Sequence, residues 1–452
     1  MNLRPYQDRA IQALRAAYAS GKRAPCLVLP TGGGKTVIAA AIVQGAIARG
    51  NRVLFLVHRQ ELLAQSVSKL ESAGIHDLRI IQAGSDLGGP TAKVAVASIP
   101  TLTRWTDRQP AAELVIIDEA HHVKAKTWNK LTDHYAKSML LGLSATPQRS
   151  DGRPLGDVFD SLVVGSTVRE LTDSGHLVPC RVYGPPADMD ANEMALSPAE
   201  AYRQHADGAR AVVFCVSVPH AVKVAAEMNA AGIKTGVVTG VMSREDRKQT
   251  LADLDSGAIR AVASCHVLTE GWDSPNVAVC ILARKPKHTG LFLQMAGRVL
   301  RPAPGKTHAT LIDLRGSVYD HGPPDLERQF TLDGKGISKV DRDAIRQCLA
   351  CGGVFKAGPR ECPLCGVELP RKPNEMPESI GVGVVDISTV VKPVRAITLA
   401  INAKFAGVCR ICRQRFAAGA RIFWSSEQKP RHAMCGQNEA LAEANRLLAG
   451  VM

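Results

Sequence analysis

A glycine-rich stretch near the start of the chain has the residue types that hold a phosphate group. It lies between an aliphatic run at 26–29 and an Ala- and Ile-rich run at 37–49. Glycines let backbone N–H groups curl around phosphate oxygens, a lysine adds a point charge, and a threonine hydroxyl at a helix start suits Mg²⁺. Leu29 stands where the usual phosphate-loop formula has glycine. The predicted cradle comprises Thr31, Gly32, Gly33, Gly34, Lys35 and Thr36.

Two adjacent carboxylates follow another aliphatic run, at 114–117. Ligands of open α/β sheets bind at the carboxyl ends of the strands, so this run would deliver both acids to that edge. Asp118 would hold Mg²⁺ directly or through water, and Glu119 would polarise an attacking water, because phosphoryl transfer mainly needs positioning and charge compensation. The alternative is an ordinary acidic strand end, which the cradle upstream disfavours.

A glutamine and two arginines share a short stretch of the second half of the chain. Gln294, Arg298 and Arg301 fit the pattern Q-x-x-G-R-x-x-R. An arginine brought to the cradle from a second lobe would stabilise charge on a transferring phosphoryl group. It would also make hydrolysis depend on closure of the lobes. The alternative is ordinary salt bridging on a basic helix.

Short aliphatic runs that alternate with helical patterns must position these residues, and the alternation occurs twice. It predicts two α/β lobes with parallel sheets covered by helices, and a ligand cleft between the lobes. The predicted divisions are a first lobe at 1–165, a connector at 166–200 and a second lobe at 201–325. The predicted strands are 26–29, 52–57, 94–97, 114–117 and 140–143, then 211–216, 235–239, 259–263, 277–282 and 310–313. The predicted helices include 37–49, 60–72 and 219–231.

Length and charge limit the number of domains and the class of partner. The chain has 452 residues, enough for about three domains. A net charge of +14 favours a polyanionic partner, most commonly nucleic acid, although a generally basic surface is the alternative. No run approaches the roughly 18 apolar residues that span a bilayer, and the first residues lack a signal-peptide core. We therefore expect an intracellular protein without a membrane partner.

Taken together, these residues resemble the superfamily 2 helicases of the DEAD/DEAH-box type with a restriction-enzyme-like core. The resemblance covers roughly residues 3–325. In chain order its motifs are an adenine-recognition segment at 3–7, motif I at 30–36, motif Ia at 57–62, motif Ib at 98–103, motif II at 118–121, motif III at 144–147, motif IV at 211–220, motif V at 268–273 and motif VI at 294–301. In this superfamily the position of Leu29 is commonly not glycine.

The resemblance implies an ATP-dependent motor with two RecA-like lobes, and it assigns roles to further residues. It places Gln7 at the adenine base, and Arg4 together with Gly271 and Asp273 of motif V at the nucleotide. It takes both motif VI arginines to the γ-phosphate of ATP. The nucleic-acid track that it implies, where basic and hydroxyl groups suit phosphate contacts, comprises His58, Arg59, Thr101 and Thr269.

Seven of the twelve cysteines crowd into the last quarter of the chain. Paired C-x-x-C units in an intracellular protein favour zinc over disulfides, because each unit folds a knuckle that presents two thiolates. A zinc ribbon at 340–370 is predicted from Cys348, Cys351, Cys362 and Cys365. After a linker at 371–402, a second zinc-finger-like module at 403–452 is predicted from Cys409, Cys412, His432 and Cys435, with no bound metal as the alternative.

The sequence therefore predicts an ATP-dependent nucleic-acid helicase or translocase that uses ATP, Mg²⁺ and one or two structural Zn²⁺ ions. DNA is favoured over RNA, because Arg149, Asp151 and Gly152 after motif III resemble the DNA-repair and restriction branch. The alternatives are an RNA helicase, a double-strand DNA translocase that never separates strands, and a zinc-dependent binding scaffold with a vestigial ATPase core. The expected setting is the cytoplasm, with a bacterial or phage gene and a nuclease, replication or repair protein as partner.

Overall fold

The computed structural model describes residues 2–58, 60–105, 108–123, 128, 131, 134–149, 154–186, 194–269, 271–333 and 345–369, and strands at 401–402, 407–408, 415–416, 421–425 and 428–432. The chain divides into two compact units, Met1–Arg371 and Lys372–Met452. Within the described residues, no helix combines the length and the apolar character needed to cross a bilayer.

The first lobe is built on a sheet of eight strands. They are β1 (Pro25–Val28), β2 (Val53–Val57), β3 (Leu78–Gln82), β4 (Ser85–Leu87), β5 (Val94–Ser98), β6 (Leu114–Ile117), β7 (Met139–Ser144) and β8 (Ser161–Val164). Their order is β4-β3-β5-β2-β6-β7-β1-β8, and neighbours are parallel except in the β3–β4 hairpin. Strands β1, β2, β5 and β6 are buried on both faces, as aliphatic strands between two helical layers must be.

The helices of this lobe are α1 (Pro5–Ala19), α2 (Lys35–Ala48), α3 (Gln60–Ser72) and the short α4 (Ile99–Leu102). Pro5 takes the first helical position of α1, and the N–H of Arg4 donates to Gln7 Oε1 at 2.9 Å, which fixes the start of the helix. Gly34 has φ 81° and precedes α2 directly. The cradle therefore ends at the positive end of a helix dipole.

The second lobe is built on six parallel strands. They are β9 (Cys180–Tyr183), β10 (Ala211–Phe214), β11 (Thr235–Val238), β12 (Ala261–Ser264), β13 (Val279–Leu282) and β14 (Ala309–Asp313), in the order β11-β12-β10-β13-β14-β9. The edge strand β9 comes from the segment expected to connect the lobes. Two parallel sheets confirm the predicted α/β fold class.

The remaining helices of unit 1 are α5 (Val168–Asp173), α6 (Pro198–His205), α7 (Val218–Ala230), α8 (Arg244–Ser256), α9 (Thr289–Gly297) and α10 (Ser317–His321). Helix α9 carries Gln294, and Arg298 is its C-cap. Its packing brings motif VI to the first lobe: a Cβ placed on Gly297 would lie 2.6 Å from the Cβ of Thr31 in the cradle. This close approach requires a residue without a side chain.

A small cysteine-rich ribbon follows the second lobe and docks on its sheet. Its strands β15 (Ile345–Gln347) and β16 (Val354–Lys356) are antiparallel. Gln347 Nε2 donates to the carbonyls of Gly184 and Pro185 at 2.8 and 3.0 Å, and Tyr183 bridges to Gly353. The ribbon therefore covers the end of the edge strand β9.

Unit 2 contains five short strands in its described part. They are β17 (Ile401–Asn402), β18 (Gly407–Val408), β19 (Arg415–Phe416), β20 (Arg421–Ser425) and β21 (Gln428–His432). They form one sheet with the order β17-β20-β21 and a second pair, β18-β19. All neighbours in these sheets are antiparallel.

Candidate active site between the lobes

The phosphate cradle has the backbone that its glycines predict. Gly32 and Gly34 have φ of 87° and 81°, a region that favours glycine. Tyr6 of α1 donates its hydroxyl to the Gly33 carbonyl at 2.8 Å, and a Cβ on Gly34 would lie 2.6 Å from Gln7 Nε2. The start of α1 is thus packed directly on the cradle, and Arg4 is exposed beside it. The expected place of this segment at the adenine base remains a prediction.

Lys35, Asp118 and Glu119 interact with one another at the carboxyl ends of β1 and β6, where each is half-buried. Burial lowers the pKa of the Lys35 ammonium, and the Glu119 and Asp118 carboxylates oppose that shift. Burial and the charge of Glu119 raise the pKa of Asp118 to about 6, and Lys35 opposes the rise. Two half-buried carboxylates that repel each other fit a divalent cation, because its charge would relieve the repulsion.

Glu119, which is expected to polarise the attacking water, has a backbone conformation that is unusual for a residue other than glycine. Its φ is 48°, in the left-handed region. Its Oε2 atom is buried without a hydrogen-bond partner and lies 3.5 Å from His121 Nδ1. A buried carboxylate oxygen that lacks a protein donor is suited to accept a proton from water.

A buried chain of hydrogen bonds joins motifs II, III and VI. His121 Nδ1 lies 3.0 Å from Ser144 Oγ, and its Nε2 lies 3.0 Å from Gln294 Nε2. Ser144 Oγ donates to the Thr146 carbonyl at 2.6 Å. With Gln294 donating to Nε2, the Nδ1 atom carries the proton and donates to Ser144. Gln294 of the second lobe is therefore hydrogen-bonded to His121, which lies two residues after Glu119 in the first lobe.

The two motif VI arginines are both engaged with motif V. Arg298 is buried and donates to the carbonyls of Thr269 and Trp272 at 2.6–3.1 Å. Arg301 forms an ion pair with Asp273, and a Cβ on Gly32 would lie 3.1 Å from its Cγ. Burial lowers the pKa of Arg301. Arg301 thus lies against the cradle, whereas Arg298 donates its hydrogen bonds to the motif V backbone.

Gly271 of motif V contacts the first lobe through α3. Its φ is 68°, and a Cβ there would lie 2.5 Å from Leu62 Cδ2. The closeness explains why only glycine fits at this position. Motif V is therefore held between the cleft arginines on one side and α3 on the other.

The residues of the expected nucleic-acid track are in different surroundings. The Thr101 hydroxyl is buried and shares a 2.7 Å hydrogen bond with Ser98, and the Thr269 hydroxyl donates to the His266 carbonyl at 3.0 Å. The His58 ring is half-buried and stacks on His122. Arg59 lies outside the described residues.

One part of the site has no signal in the sequence. Leu177, after α5, approaches the cradle, since a Cβ on Gly32 would lie 3.0 Å from its Cδ2. The next residue, Val178, donates its N–H to the Leu300 carbonyl at 2.8 Å, beside Arg301. Such a contact joins segments far apart in the chain, so local spacing could not reveal it.

The four cysteines of the ribbon fit zinc. All four Sγ atoms lie within 4.8 Å of one another. The Cys348–Cys365 and Cys351–Cys362 sulfur pairs are each 3.7 Å apart. A tetrahedral ion with bonds of about 2.3 Å separates its sulfur ligands by about 3.8 Å. Of the second predicted set, Cys409, Cys412 and Cys435 and the side chain of His432 lie outside the described residues.

Comparison with known proteins agrees with this geometry. Residues 1–149 match the family of the type III restriction enzyme res subunit, and residues 194–303 match the helicase conserved C-terminal domain. The chain is 29% identical over 362 residues to a 51.5 kDa protein of a Lactococcus phage, covering 75% of this chain and 76% of that protein. It is also 29% identical over 356 residues to the putative ATP-dependent helicase IRC3 of Saccharomyces cerevisiae, covering 70% of this chain and 52% of that protein.

Among solved structures, the ATP-dependent type ISP restriction-modification enzyme LlaBIII bound to DNA has a similar fold, with a TM-score of 0.54. The identity is 15%, and the likeness covers 70% of this chain and 28% of that chain. This chain thus spans about half of the yeast relative and under a third of LlaBIII. With the two family matches on its two lobes, the chain belongs to the superfamily 2 helicases, which are ATP-dependent helicases and translocases.

Proposed function

We propose that this protein couples ATP hydrolysis between its lobes to movement along DNA. The observation that carries the proposal is the composite site, in which Gln294 of the second lobe is bonded at 3.0 Å to His121 of the first lobe. Arg301 also lies against the cradle. A site whose halves come from two bodies is complete only when the lobes are closed, so hydrolysis and lobe movement are linked.

Each side chain has a distinct part in this proposal. The cradle N–H groups and Lys35 bind the β- and γ-phosphates. Thr36 and Asp118 would hold Mg²⁺, which would supply positive charge to the transferring group. Glu119 orients the attacking water through its buried Oε2 atom. Arg298 and Arg301 exchange their motif V partners for the γ-phosphate when ATP binds.

We predict that Lys35→Ala abolishes ATP hydrolysis without unfolding the protein, because the cradle loses its point charge but keeps its backbone. Steady-state phosphate release and thermal unfolding measure the two effects. Lys223→Ala is the matched control, since that exposed lysine pairs with Glu227 one turn along its own helix, α7. Full turnover by Lys35→Ala would refute the assignment of the cradle.

DNA is the proposed track for two reasons. The family that matches residues 1–149 is named for a restriction enzyme, and the LlaBIII structure holds DNA. The net charge of +14 suits a polyanion of either kind. The test is ATPase activity measured with single-stranded DNA, double-stranded DNA and RNA, with zinc content determined on the same sample.

Each result of that panel has a defined meaning. Stimulation by DNA alone supports the proposal, and stimulation by RNA alone identifies an RNA helicase. Equal rates with and without every nucleic acid would reject a motor and favour a zinc-dependent scaffold. A strand-displacement assay then separates a helicase from a double-strand translocase. The phage relative also leads us to propose a bacterial or phage setting.

A further inference from the structure

Three histidines of the first lobe form a continuous row of rings at the cleft. The rings of His58 and His122 are stacked, with centroids 4.7 Å apart and planes 14° from parallel. The rings of His122 and His121 are 4.2 Å apart and tilted by 43°. His122 is thus in ring contact with both of the other histidines.

The backbone fixes this row at the functional edge of the sheet. His58 directly follows β2, and Asp118 at the end of the neighbouring β6 donates its N–H to the Leu56 carbonyl at 2.9 Å. His122 donates its N–H to the Glu119 carbonyl at 2.9 Å, within the 3₁₀ turn Ala120–His122. The spacing from His58 to Glu119 is therefore set by two adjacent strands.

The two ends of the row have different expected partners. His58 belongs to motif Ia and is the described basic residue proposed to contact the nucleic-acid strand. His121 lies 3.5 Å from Glu119 Oε2 and 3.0 Å from both Ser144 and Gln294. A displacement of the His58 ring by a bound strand would therefore be passed, through His122, to the ring beside Glu119.

We propose that His122 is a positioning residue that transmits nucleic-acid binding at His58 to the orientation of Glu119. The inference rests on the proposed function and adds to it the link between the track and the hydrolytic carboxylate. His122 acts through its ring contacts with His58 and His121. A contact row becomes a coupling pathway only if its removal changes the coupling energy, so the test measures coupling directly.

The test compares ATPase activity with and without a single-stranded DNA oligonucleotide for the wild type, His122→Ala and His122→Phe. We expect His122→Ala to lower the stimulation about tenfold, within the usual range of coupling energies. Its basal rate and its affinity for the oligonucleotide, measured by fluorescence anisotropy, stay within about twofold of the wild type, a change of under 1 kcal/mol. His122→Phe keeps a flat ring between its neighbours and regains at least half of the stimulation.

His134→Ala is the matched control. His134 is an exposed histidine of the same lobe whose ring stands edge-on to Tyr135, with centroids 4.7 Å apart. Tyr135 donates to the Pro110 carbonyl, ahead of β6, whereas Asp118 follows that strand. The control therefore removes a ring contact near the amino end of β6, away from the histidine row. We expect DNA to stimulate the ATPase activity of this variant as much as that of the wild type.

A double substitution tests whether the two stacked residues act together. If the row transmits binding, His58→Ala with His122→Ala reduces stimulation no further than His58→Ala alone. Additive losses, or full stimulation of His122→Ala, would overturn the inference while leaving the motor proposal intact. A loss of thermal stability in His122→Ala with equal losses of basal and stimulated rates would also overturn it, because that pattern is structural. A wild type that no nucleic acid stimulates would reject the motor proposal and this inference with it.

Discussion

Leu29 occupies the position at which the usual phosphate-loop formula has glycine, and its packing explains the difference. The side chain is fully buried, and a Cβ placed on Gly33 would lie 2.8 Å from Leu29 Cγ. The leucine therefore fills the space beneath the cradle, and Gly33 is the residue that must lack a side chain. Lys35 also donates to the Leu29 carbonyl at 3.3 Å.

We predict that Leu29→Ala lowers the free energy of unfolding by about 2–5 kcal/mol, the usual cost of a cavity left by a buried leucine. The KM for ATP should rise as well, because Gly33 loses its support. Urea unfolding and ATPase kinetics measure the two effects. Leu87→Ala is the control, since that leucine is 55% exposed, and its effect should stay within about 0.5 kcal/mol. A Leu29→Ala variant with an unchanged KM for ATP would show that the cradle does not depend on this packing.

At the residue scale, the sequence predicted the site where its chemistry is local. The glycines, Lys35 and the two carboxylates lie together because each set directly follows one strand of the same sheet. The partners of Arg298 and Arg301 were not predictable, because they depend on how motif V folds against motif VI. The expected contact of both arginines with the γ-phosphate therefore remains a prediction.

At the element scale, helices and strands with strong apolar patterns were predicted well. Helix α3 has the predicted bounds, Gln60–Ser72, and β6 coincides with the run 114–117. Helix α8 has no counterpart among the predicted helices. It buries only Leu254, so its charged sequence lacks the apolar periodicity on which the prediction depends. Strand β9 lies in the segment predicted as a connector. Its place at the edge of the sheet depends on pairing with the distant strand β14, which local sequence does not reveal.

Helix α9 begins at a histidine whose ionisation opposes folding. His288 Nδ1 accepts the N–H of Leu291 at 3.2 Å and so caps the helix. Burial, together with the nearby His121, His321 and His122, lowers the pKa of His288 to about 4. An unfolded chain takes up this proton near pH 6.5, whereas the folded protein resists it. Acidification from pH 6.5 towards 4 therefore favours unfolding through this group, and above that window the group has no effect.

We predict that His288→Asn reduces the loss of stability on acidification. An asparagine keeps a cap acceptor but does not titrate. The free energy of unfolding should fall by about 1–2 kcal/mol less than in the wild type between pH 6.5 and 4, below the full linkage value because the ring is only partly buried. Urea titrations at both pH values measure this difference, with the exposed His134→Asn as control. An unchanged pH dependence would contradict the assignment.

At the scale of the whole molecule, the segment after the second lobe returns to the first. Leu332 accepts the N–H of Gly156 at 2.8 Å and packs on the core of the first lobe. Arg328 holds the backbone of this segment in place, because its guanidinium donates to the carbonyls of His321, Pro323 and Leu326 at 2.6–2.8 Å. Burial lowers the pKa of Arg328 to about 10. The lobes are thus linked at this segment as well as through α5, a tie for which the sequence has no pattern.

The ribbon extends the second lobe, and its stability should depend on zinc. We predict that Cys362→Ser removes one zinc ion per chain, measured by mass spectrometry, and increases hydrogen exchange in β9 (Cys180–Tyr183). The reason is that Gln347 and Gly352 hold the end of that strand, and the Gly184 N–H donates to the Gly352 carbonyl at 3.2 Å. Without its metal, the ribbon would lose the turn between Cys348 and Cys351 that positions Gln347 and Gly352 against the strand.

Cys409→Ser is the matched control for the ribbon, because it removes a ligand of the second predicted set in unit 2. It should leave exchange in β9 unchanged. Its zinc content decides whether the second set binds metal: loss of one ion from two indicates that it does, and an unchanged single ion indicates that it does not. Equal protection of β9 in Cys362→Ser and the wild type would show that the ribbon docks without metal. Faster exchange confined to β9 would instead identify zinc as the support of the second lobe's edge.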